Sequence, residues 1–493
     1  MNEIYGQSKY GENFSQWFEW IIREAEIYDY GRYPVKGMGI WMPYGFQIRR
    51  NVIEIIRNLL NETGHEEVLF PILIPEILFR RESEHVRGFE GEVLWVTRGG
   101  NEELDVKLVL RPTSETAISY MESFWIKSYK QLPKKYYQVV SVFRYETKMT
   151  KPMIRVREIT TFKEAHTVHE NFEDSERQVL EAIDIYSKFF DELGIPYIIS
   201  RRPQWDKFAG ALYTIAFDTV FPDGRAIQIG TVHNLGQTFT SVFDVKIQKR
   251  DETIDYAWQT SYGISERVIA SIIAIHSDDI GLILPSNVAP YTVVIIPIPH
   301  QDEKIYQSII NYCNDIHNIL KVNNIRSLID ERLDVKPAEK YRECELKGVP
   351  IRIEIGFKEV SQNTVTLFRR DLRKRFTINK DELISVIKNV LEEYNKNLKE
   401  KAWSWLKSKI KLFSTLDEAL NHIKEEGGVA LLPWCGHEAC VYKVLERLEG
   451  VAALGEPLNM STIISIDKPS NRDVYCAFCG KTAKTMMAIA KRY

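Results

Sequence analysis

Long hydrophobic runs are missing from this sequence: no stretch approaches the ~18 apolar residues of a membrane span, so no transmembrane helix is expected. An excess of positive charge is missing too. Lys and Arg number 65 against 68 Asp and Glu, a net charge of −3, which excludes a surface uniformly coated with phosphate-binding cations. The opening MNEIYGQSKYGENFSQWFEW shows no basic start followed by an apolar core, so no secretory leader is expected and a cytoplasmic location is. Cysteine is scarce, with six in 493 residues, and two of them, Cys313 and Cys344, stand alone and read as packing residues. At ~100–200 residues per domain, the length suggests about three domains.

What is present is unevenly spread. From Lys388 to Lys411 there are seven Lys against three Glu, and Arg369, Arg370, Arg373, Lys374 and Arg375 cluster just upstream. Basic patches on a weakly acidic chain fit a partner that touches only part of the surface, and equally a solvated helix face. The densest chemistry lies from Ser141 to His166, SVFRYETKMTKPMIRVREITTFKEAH. Val139, Val140, Val142 and Phe143 predict a strand entering a loop, Lys151-Pro152 marks the turn region, and Ile154, Val156, Ile159, Thr160, Thr161 and Phe162 predict the return. A hairpin with Arg and Glu on both arms, alternate side chains facing one way, suits a polyanion with its metal counter-ions. It suits a charged, solvated surface as well.

Apolar residues at helical spacing predict a helix from Phe14 to Ala25, a second through Ile48, Val52, Ile55, Ile56, Leu59 and Leu60, and a third from Phe172 to Leu193. Pro43-Tyr44-Gly45 reads as a break before the second. VLRPTSET, from Val109 to Thr116, predicts a strand ending at Pro112, a cap at Thr113 and a helix using Ala117, Ile118, Met121 and Phe124. Thr113 and Glu115 would offer a hydroxyl and a carboxylate to a small cation, or serve as an ordinary helix start. The turn Phe221-Pro222-Asp223-Gly224-Arg225 between strands predicts antiparallel pairing and an α+β core. Gln228 sits there among apolar neighbours, either to pair with a base or to satisfy backbone groups. Ser265 can cap a buried helix whose first turn holds Arg267, a place where a cation opposes the helix dipole unless an anion is bound. From about Pro290 to 397, strands alternate with helices, describing a compact α/β domain, and Leu398 to Lys411 predicts a basic helical connection to a last domain.

In that last domain Cys435 and Cys440 have four residues between them, and Cys476 and Cys479 form a CxxC. Two close pairs in a chain without a leader read as a tetrahedral structural zinc site rather than as disulfides, with His437 able to substitute as a ligand.

A helix broken at Pro43, a hairpin with Phe143-Arg144-Tyr145-Glu146 and an arginine opening a buried helix occur here in one order. That order resembles motifs 1, 2 and 3 of class II aminoacyl-tRNA synthetases. With RPTSET, FKEAH, QIGTVHNLGQ, SYGISER and GVPIRIEIG added, the chain resembles the prolyl-tRNA synthetases of archaeal and eukaryotic type over nearly its full length. The resemblance implies a class II antiparallel-sheet catalytic core (1–285), an α/β anticodon-binding domain (286–397) and a small zinc-containing α/β C-terminal domain (398–493). It implies ATP-dependent activation of L-proline to prolyl-adenylate and transfer to the 3′ end of tRNA(Pro). Motif 1 with Pro43 implies a homodimer; neither DNA nor a membrane is an expected partner.

The resemblance also assigns roles. Arg144 would bridge the α-phosphate and the substrate carboxylate by paired contacts that Lys cannot reproduce. Glu146 and Arg157 would hold the nucleotide, Arg267 the γ-phosphate, and Gln228, Thr231 and Ser265 other parts of ATP, with Mg²⁺ neutralising phosphate charge. Thr113 and Glu115 would bind the amine of proline; Phe162, Glu164, His166 and His233 would surround its ring. Glu345 and Arg352 match positions that read guanines, and Tyr493 matches a tyrosine near the active site. One segment departs from the family: Phe162-Lys163-Glu164-Ala165-His166 stands where Trp-Gln-Glu-Gly-His is commoner, with one extra residue after Arg157. A smaller aromatic wall leaves room, and a methylene or two is worth only ~1–3 kcal/mol of discrimination, so activation of cysteine or alanine beside proline is expected. Only about 120 residues separate Arg144 from Arg267, too few for an editing insertion there. Two other readings stay open: a catalytically silent, zinc-stabilised RNA-binding relative, and a class II synthetase for another small amino acid.

Overall fold

A computed structural model describes residues 9–81, 91–445, 450–463 and 474–493. Helix α1 (Phe14–Glu24) buries Phe14, Trp17, Phe18, Ile21 and Ile22, the recurrence its spacing predicts. Helix α2 (Pro43–Glu62) starts at Pro43, so Pro43-Tyr44-Gly45 opens this helix instead of interrupting it. Proline's fixed φ and missing N–H suit a first turn. Gly45 is required there, since a Cβ would lie 2.1 Å from the Ile27 carbonyl oxygen. Helix α3 (Glu115–Trp125) departs from the apolar face expected of it: Glu115, Thr116, Ser119 and Glu122 are buried with Ile118, whereas Phe124 is exposed. Of that polar stripe Glu115 lines a cavity, while Ser119 and Glu122 accept from Gln259.

The central antiparallel sheet is built from β1 (Lys134–Phe143), β2 (Glu158–His169), β3 (Ile198–Arg201), β4 (Tyr213–Val220), β5 (Ala226–Gly236) and β6 (Trp258–Ile264). They pair antiparallel in the order β3-β4-β5-β6-β2-β1. The returning hairpin strand begins only at Glu158, which leaves Ile154 and Val156 in the loop. Val140 lies opposite Phe162 and Val142 opposite Ile159, so Thr160 and Thr161 together face Ser141 in a β-bulge. That bulge absorbs one residue more than a regular ladder would hold. Helix α4 (Phe172–Glu192) covers one face of β2, β5 and β6, and α5 (Arg267–His276) follows β6 directly.

The next unit comprises β7 (Val293–Pro297), α6 (Glu303–Val322), β8 (Ser327–Ile329), α7 (Pro337–Leu346), β9 (Ile351–Ile355), β10 (Thr364–Arg369) and β11 (Lys374–Asn379). Its sheet runs β8-β7-β9-β10-β11, the first three parallel and the last two antiparallel. Helix α8 (Leu383–Ser408) is one continuous helix, and the basic connection predicted from Leu398 is its second half.

The final unit contributes β12 (Ile410–Leu412), β13 (Val429–Trp434), β14 (Val451–Pro457) and β15 (Thr485–Lys491), ordered β12-β13-β15-β14. Strand β14 then pairs antiparallel with β3, Glu456 opposite Arg201 and Pro457 opposite Ser200, so both units share one eleven-stranded sheet. Ile198, Val220, Leu406, Val429, Leu431, Leu454 and Ala488 form the apolar core of this joint. Buried Arg202 crosses it, donating from Nη2 to Asp218 at 2.7 Å and from Nη1 to the Leu454 carbonyl.

Candidate active site

The face of β2, β5 and β6 away from α4 opens into a cavity of about 370 Å³. Thr113, Glu115, Arg144, Glu146, Phe162, Glu164, Gln228, Thr231, His233, Ser265 and Arg267 all line it. Two candidates stand outside the lining. His166 lies behind Glu164, 3.3 Å from its carboxylate, and Arg157 stacks on Tyr145 at 4.1 Å while its carbonyl accepts the Arg144 N–H at 2.9 Å.

One end of the cavity is built around carboxylates. Glu164 Oε1 accepts from Ser114 Oγ at 2.5 Å and from Gln138 Nε2 at 2.7 Å. Thr113 Oγ1 donates to Glu115 rather than capping α3. Burial alone would raise the Glu164 pKa, but His166, Ser114 and Gln138 outweigh it and hold the carboxyl below its ordinary range. On His166 the balance is reversed. Burial lowers its pKa, and the carboxylates of Glu164, Glu115 and Glu122 more than offset that and raise it. Glu115 and Glu164 thus bring two carboxyl groups to this end of the cavity, where an incoming cation would meet them. His233 closes the far wall, Nδ1 2.8 Å from Thr214 Oγ1 and its ring 4.7 Å from that of Phe208. Burial, with the nearby charge of His166, pushes its pKa down to about 3, so it is a neutral wall.

The other end is built around arginines. Arg144 Nε donates to the Pro112 carbonyl at 3.3 Å, and Arg267 Nε to the Ile154 carbonyl at 2.9 Å. Burial, then the charges of Arg144, Arg155 and Arg492, push the Arg267 pKa down to about 10, and Glu146 opposes them. Arg267 stays charged at neutral pH, in a crowd of cations that a polyanion would relieve. Gln228 Oε1 accepts from Arg202 at 3.2 Å, so its oxygen serves a side chain and not the backbone. Arg144 stands between the two ends, its guanidinium 5.7 Å from the Phe162 ring. A molecule that is both ammonium and carboxylate can thus lie with its carboxylate toward bound phosphate.

Family models match in three consecutive blocks: tRNA synthetase class II core domain (G, H, P, S and T) over residues 95–276, anticodon binding domain over 292–390, and prolyl-tRNA synthetase C-terminal over 416–493. The chain is 56% identical to the proline–tRNA ligase of Sulfolobus acidocaldarius over 490 residues, and 57% identical to that of Sulfurisphaera tokodaii over 487, covering 99% of each chain in both cases. The chain belongs to the proline–tRNA ligase family. Among solved structures, Giardia lamblia prolyl-tRNA synthetase in complex with prolyl-adenylate aligns with a TM-score of 0.94 at 36% identity, covering 99% of this chain and 100% of that one. The Cryptosporidium parvum prolyl-tRNA synthetase complexed with halofuginone and AMPPNP aligns at 0.92 and 30%, covering 99% and 97%.

Outside the cavity, the free thiols of Cys435, Cys440, Cys476 and Cys479 lie within 4.8 Å of one another, with Cys435 3.6 Å from both Cys440 and Cys479 and Cys440 3.9 Å from Cys476. Tetrahedral Zn–S bonds of ~2.3 Å place sulfurs ~3.8 Å apart, so these thiols fit a zinc ion. Four thiols complete the tetrahedron and leave no position for His437, whose carbonyl instead accepts from Trp434 Nε1 at 3.2 Å. In the anticodon-type unit, Arg352 is buried between the rings of Tyr341 and Phe368, 4.1 Å from each, and pairs with Glu354 at 2.8 Å and Glu345 at 3.5 Å.

Several residues behind the cavity lining were given no role in the sequence reading. Ser114 lies inside RPTSET and could have been found there; Gln138 points at Glu164 only once the β1–β2 register is known. Glu122, fully buried on α3, accepts from Gln259 Nε2 at 2.5 Å, and burial pushes its carboxyl up to about 7. Lys163, between Phe162 and Glu164, must face the other side of β2. There α4 covers it, its Nζ donates to Tyr186 Oη at 2.9 Å and the Tyr262 carbonyl at 3.3 Å, and burial holds its pKa well below the ordinary lysine value.

Proposed function

We infer that this protein activates L-proline with ATP to form prolyl-adenylate and transfers the prolyl group to the 3′ end of tRNA(Pro). The observation that carries this reading is the division of one cavity into a carboxylate end and an arginine end with Arg144 between them. The ammonium of proline meets Glu115 and Glu164, Thr113 fixes Glu115, and Phe162 and the neutral His233 flank the ring. Arg144 holds the substrate carboxylate against the α-phosphate of ATP, Arg267 draws on the γ-phosphate, and Glu146, Arg157, Gln228, Thr231 and Ser265 position the nucleotide. A carboxylate oxygen attacks the α-phosphorus; the new O–P bond forms as the bond to pyrophosphate breaks, and charge developing on the phosphates is met by arginines already in place. Magnesium accompanies ATP as part of the substrate complex and neutralises phosphate charge.

Four cysteine thiolates, Cys435, Cys440, Cys476 and Cys479, hold a structural zinc with no open position, so they take no part in this chemistry. The exposed Ile40 and Phe46 beside Pro43 support docking of a second copy in a homodimer. Glu345 and Arg352 serve as candidate readers of anticodon guanines, which requires Arg352 to exchange its ion pairs for base edges. Unchanged charging of anticodon variants by Arg352→Ala would remove it from that role. Among the described residues no helix is long and apolar enough to cross a membrane, and a cytoplasmic location is proposed. ATP–pyrophosphate exchange across the amino acids, followed by charging of total tRNA, tests the whole reading: proline should give the fastest exchange, and its failure to support any would overturn the assignment.

A further inference from the structure

The bulge residues Thr160 and Thr161 immediately precede Phe162, and three other elements hold them. Glu266 Oε2 accepts the Thr160 N–H at 3.1 Å and its Oγ1 at 3.0 Å. Arg49 of α2 donates to the Thr160 carbonyl at 2.9 Å and to Thr161 Oγ1 at 2.7 Å. Trp41 Nε1 donates to Thr160 Oγ1 at 2.7 Å. A bulge leaves a backbone group without its ladder partner, and here a carboxylate replaces the missing strand acceptor.

That carboxylate is an expensive choice. Glu266 is 1% exposed and, among the described residues, its Oε1 has no hydrogen-bond partner. A buried polar group left half satisfied disfavours folding. Burial outweighs the Thr160 and Thr161 donors and Arg49, and pushes the carboxyl up to about 7. An amide oxygen could take the same hydrogen bonds, and an apolar residue could fill the space. The position in the chain suggests the reason: Glu266 follows Ser265 and precedes Arg267, so its side chain ties the bulge that aims Phe162 to the helix start that places Arg267.

We propose that Glu266 is a positioning residue of the amino-acid pocket: by holding the Thr160–Thr161 bulge against the start of α5, it fixes Phe162 beside Arg144 and thereby sets which small amino acids are accepted. This rests on the proposed proline activation. It adds a buried residue of the cavity lining that governs selectivity through the strand.

Pyrophosphate exchange by the full chain, with proline, alanine and ATP varied in turn, tests it. Glu266→Ala should raise the KM for proline by about 10-fold and narrow the proline-to-alanine ratio of kcat/KM, as a displaced pocket wall would, while the KM for ATP stays within about twofold. Glu266→Gln, which keeps an acceptor for both Thr160 groups, should restore values near those of the unmodified protein. An unchanged proline KM and selectivity in Glu266→Ala overturn the proposal. So does a proportional rise in both KM values, which would mean action through Arg267 alone, and so does failure of Glu266→Gln to rescue. Should circular dichroism show Glu266→Ala unfolded, Glu266→Asp, which withdraws the carboxylate by one methylene, and Thr160→Val, which removes only the hydroxyl, carry the same expectations. Exchange with some other amino acid but not proline overturns the proposed function alone, and Glu266 is then judged on that amino acid's KM. No exchange with any amino acid overturns both.

Discussion

A guanidinium that must contact a carboxylate on one side and a phosphate on the other needs paired donors in a fixed plane, which an ammonium lacks. Arg144→Lys should therefore lower kcat/KM for proline-dependent pyrophosphate exchange by about 10²–10³-fold with an unchanged circular dichroism spectrum, the usual scale for losing one fixed donor to developing charge. Glu122 predicts a pH effect. Its folded pKa of about 7 lies above an unfolded value near ~4.3, so the folded state binds the extra proton between those values. Its favourable contribution is present below ~4.3 and lost as pH rises toward 7. Glu122→Gln should accordingly be more stable than the unmodified protein at pH 8, by on the order of 1–3 kcal/mol, with the advantage gone near pH 4 in denaturant melts. At this scale the sequence was legible wherever chemistry travels in a motif: Arg144, Glu146, Arg267 and the RPTSET pair all reach the cavity. Gln138 and Glu122 were not legible, because each becomes functional only through a neighbour far along the chain.

An extra residue in a strand must either shift every later side chain to the opposite face or be absorbed locally. The bulge at Thr160 and Thr161 does the second, so Phe162, Glu164 and His166 keep one face while Glu158 and Ile159 stay paired with Phe143 and Val142. Helical periodicity was a poorer guide at α3, since a repeating stripe marks which side is buried only when the neighbour is apolar. Pro43 was misjudged for a related reason: proline breaks a helix in its interior but suits its first turn. The four-cysteine cluster was legible from spacing alone, and it predicts a measurable dependence. One zinc per chain should be found by elemental analysis, and Cys476→Ser should lower both that stoichiometry and the Tm. Cys435 and Cys476 pack in one apolar cluster with Leu432 and Trp434 of β13 and Met487 and Ile489 of β15, so the loss should reach the sheet beyond the four thiols.

For the molecule as a whole, accuracy is the open quantity. Residues 145–266 run continuously through the motif 2 loop, β2 to β6 and α4, leaving no separate folded insertion between the two arginines. With Phe162 as its aromatic wall, the pocket should support exchange with alanine or cysteine at a measurable fraction of the proline rate, and rejection of both beyond ~10⁴-fold would contradict that. Correction of the mischarged tRNA would then fall to a separate hydrolase, so charging assays should accumulate alanyl- or cysteinyl-tRNA(Pro) in the purified system. The order of the three units could be read along the chain because each has its own grammar of strands and helices. Their fusion could not, since the β3–β14 pairing joins residues that no local pattern relates. That pairing has a consequence during synthesis. Strand β3 leaves the ribosome with residue 201 and waits until residue 456 for its partner, so a nascent or prematurely terminated chain carries a catalytic sheet with a bare edge at Ser200 and Arg201. Unpaired strand edges recruit other chains. Translation that stalls in the anticodon-type unit should therefore yield aggregates rather than a soluble half-enzyme.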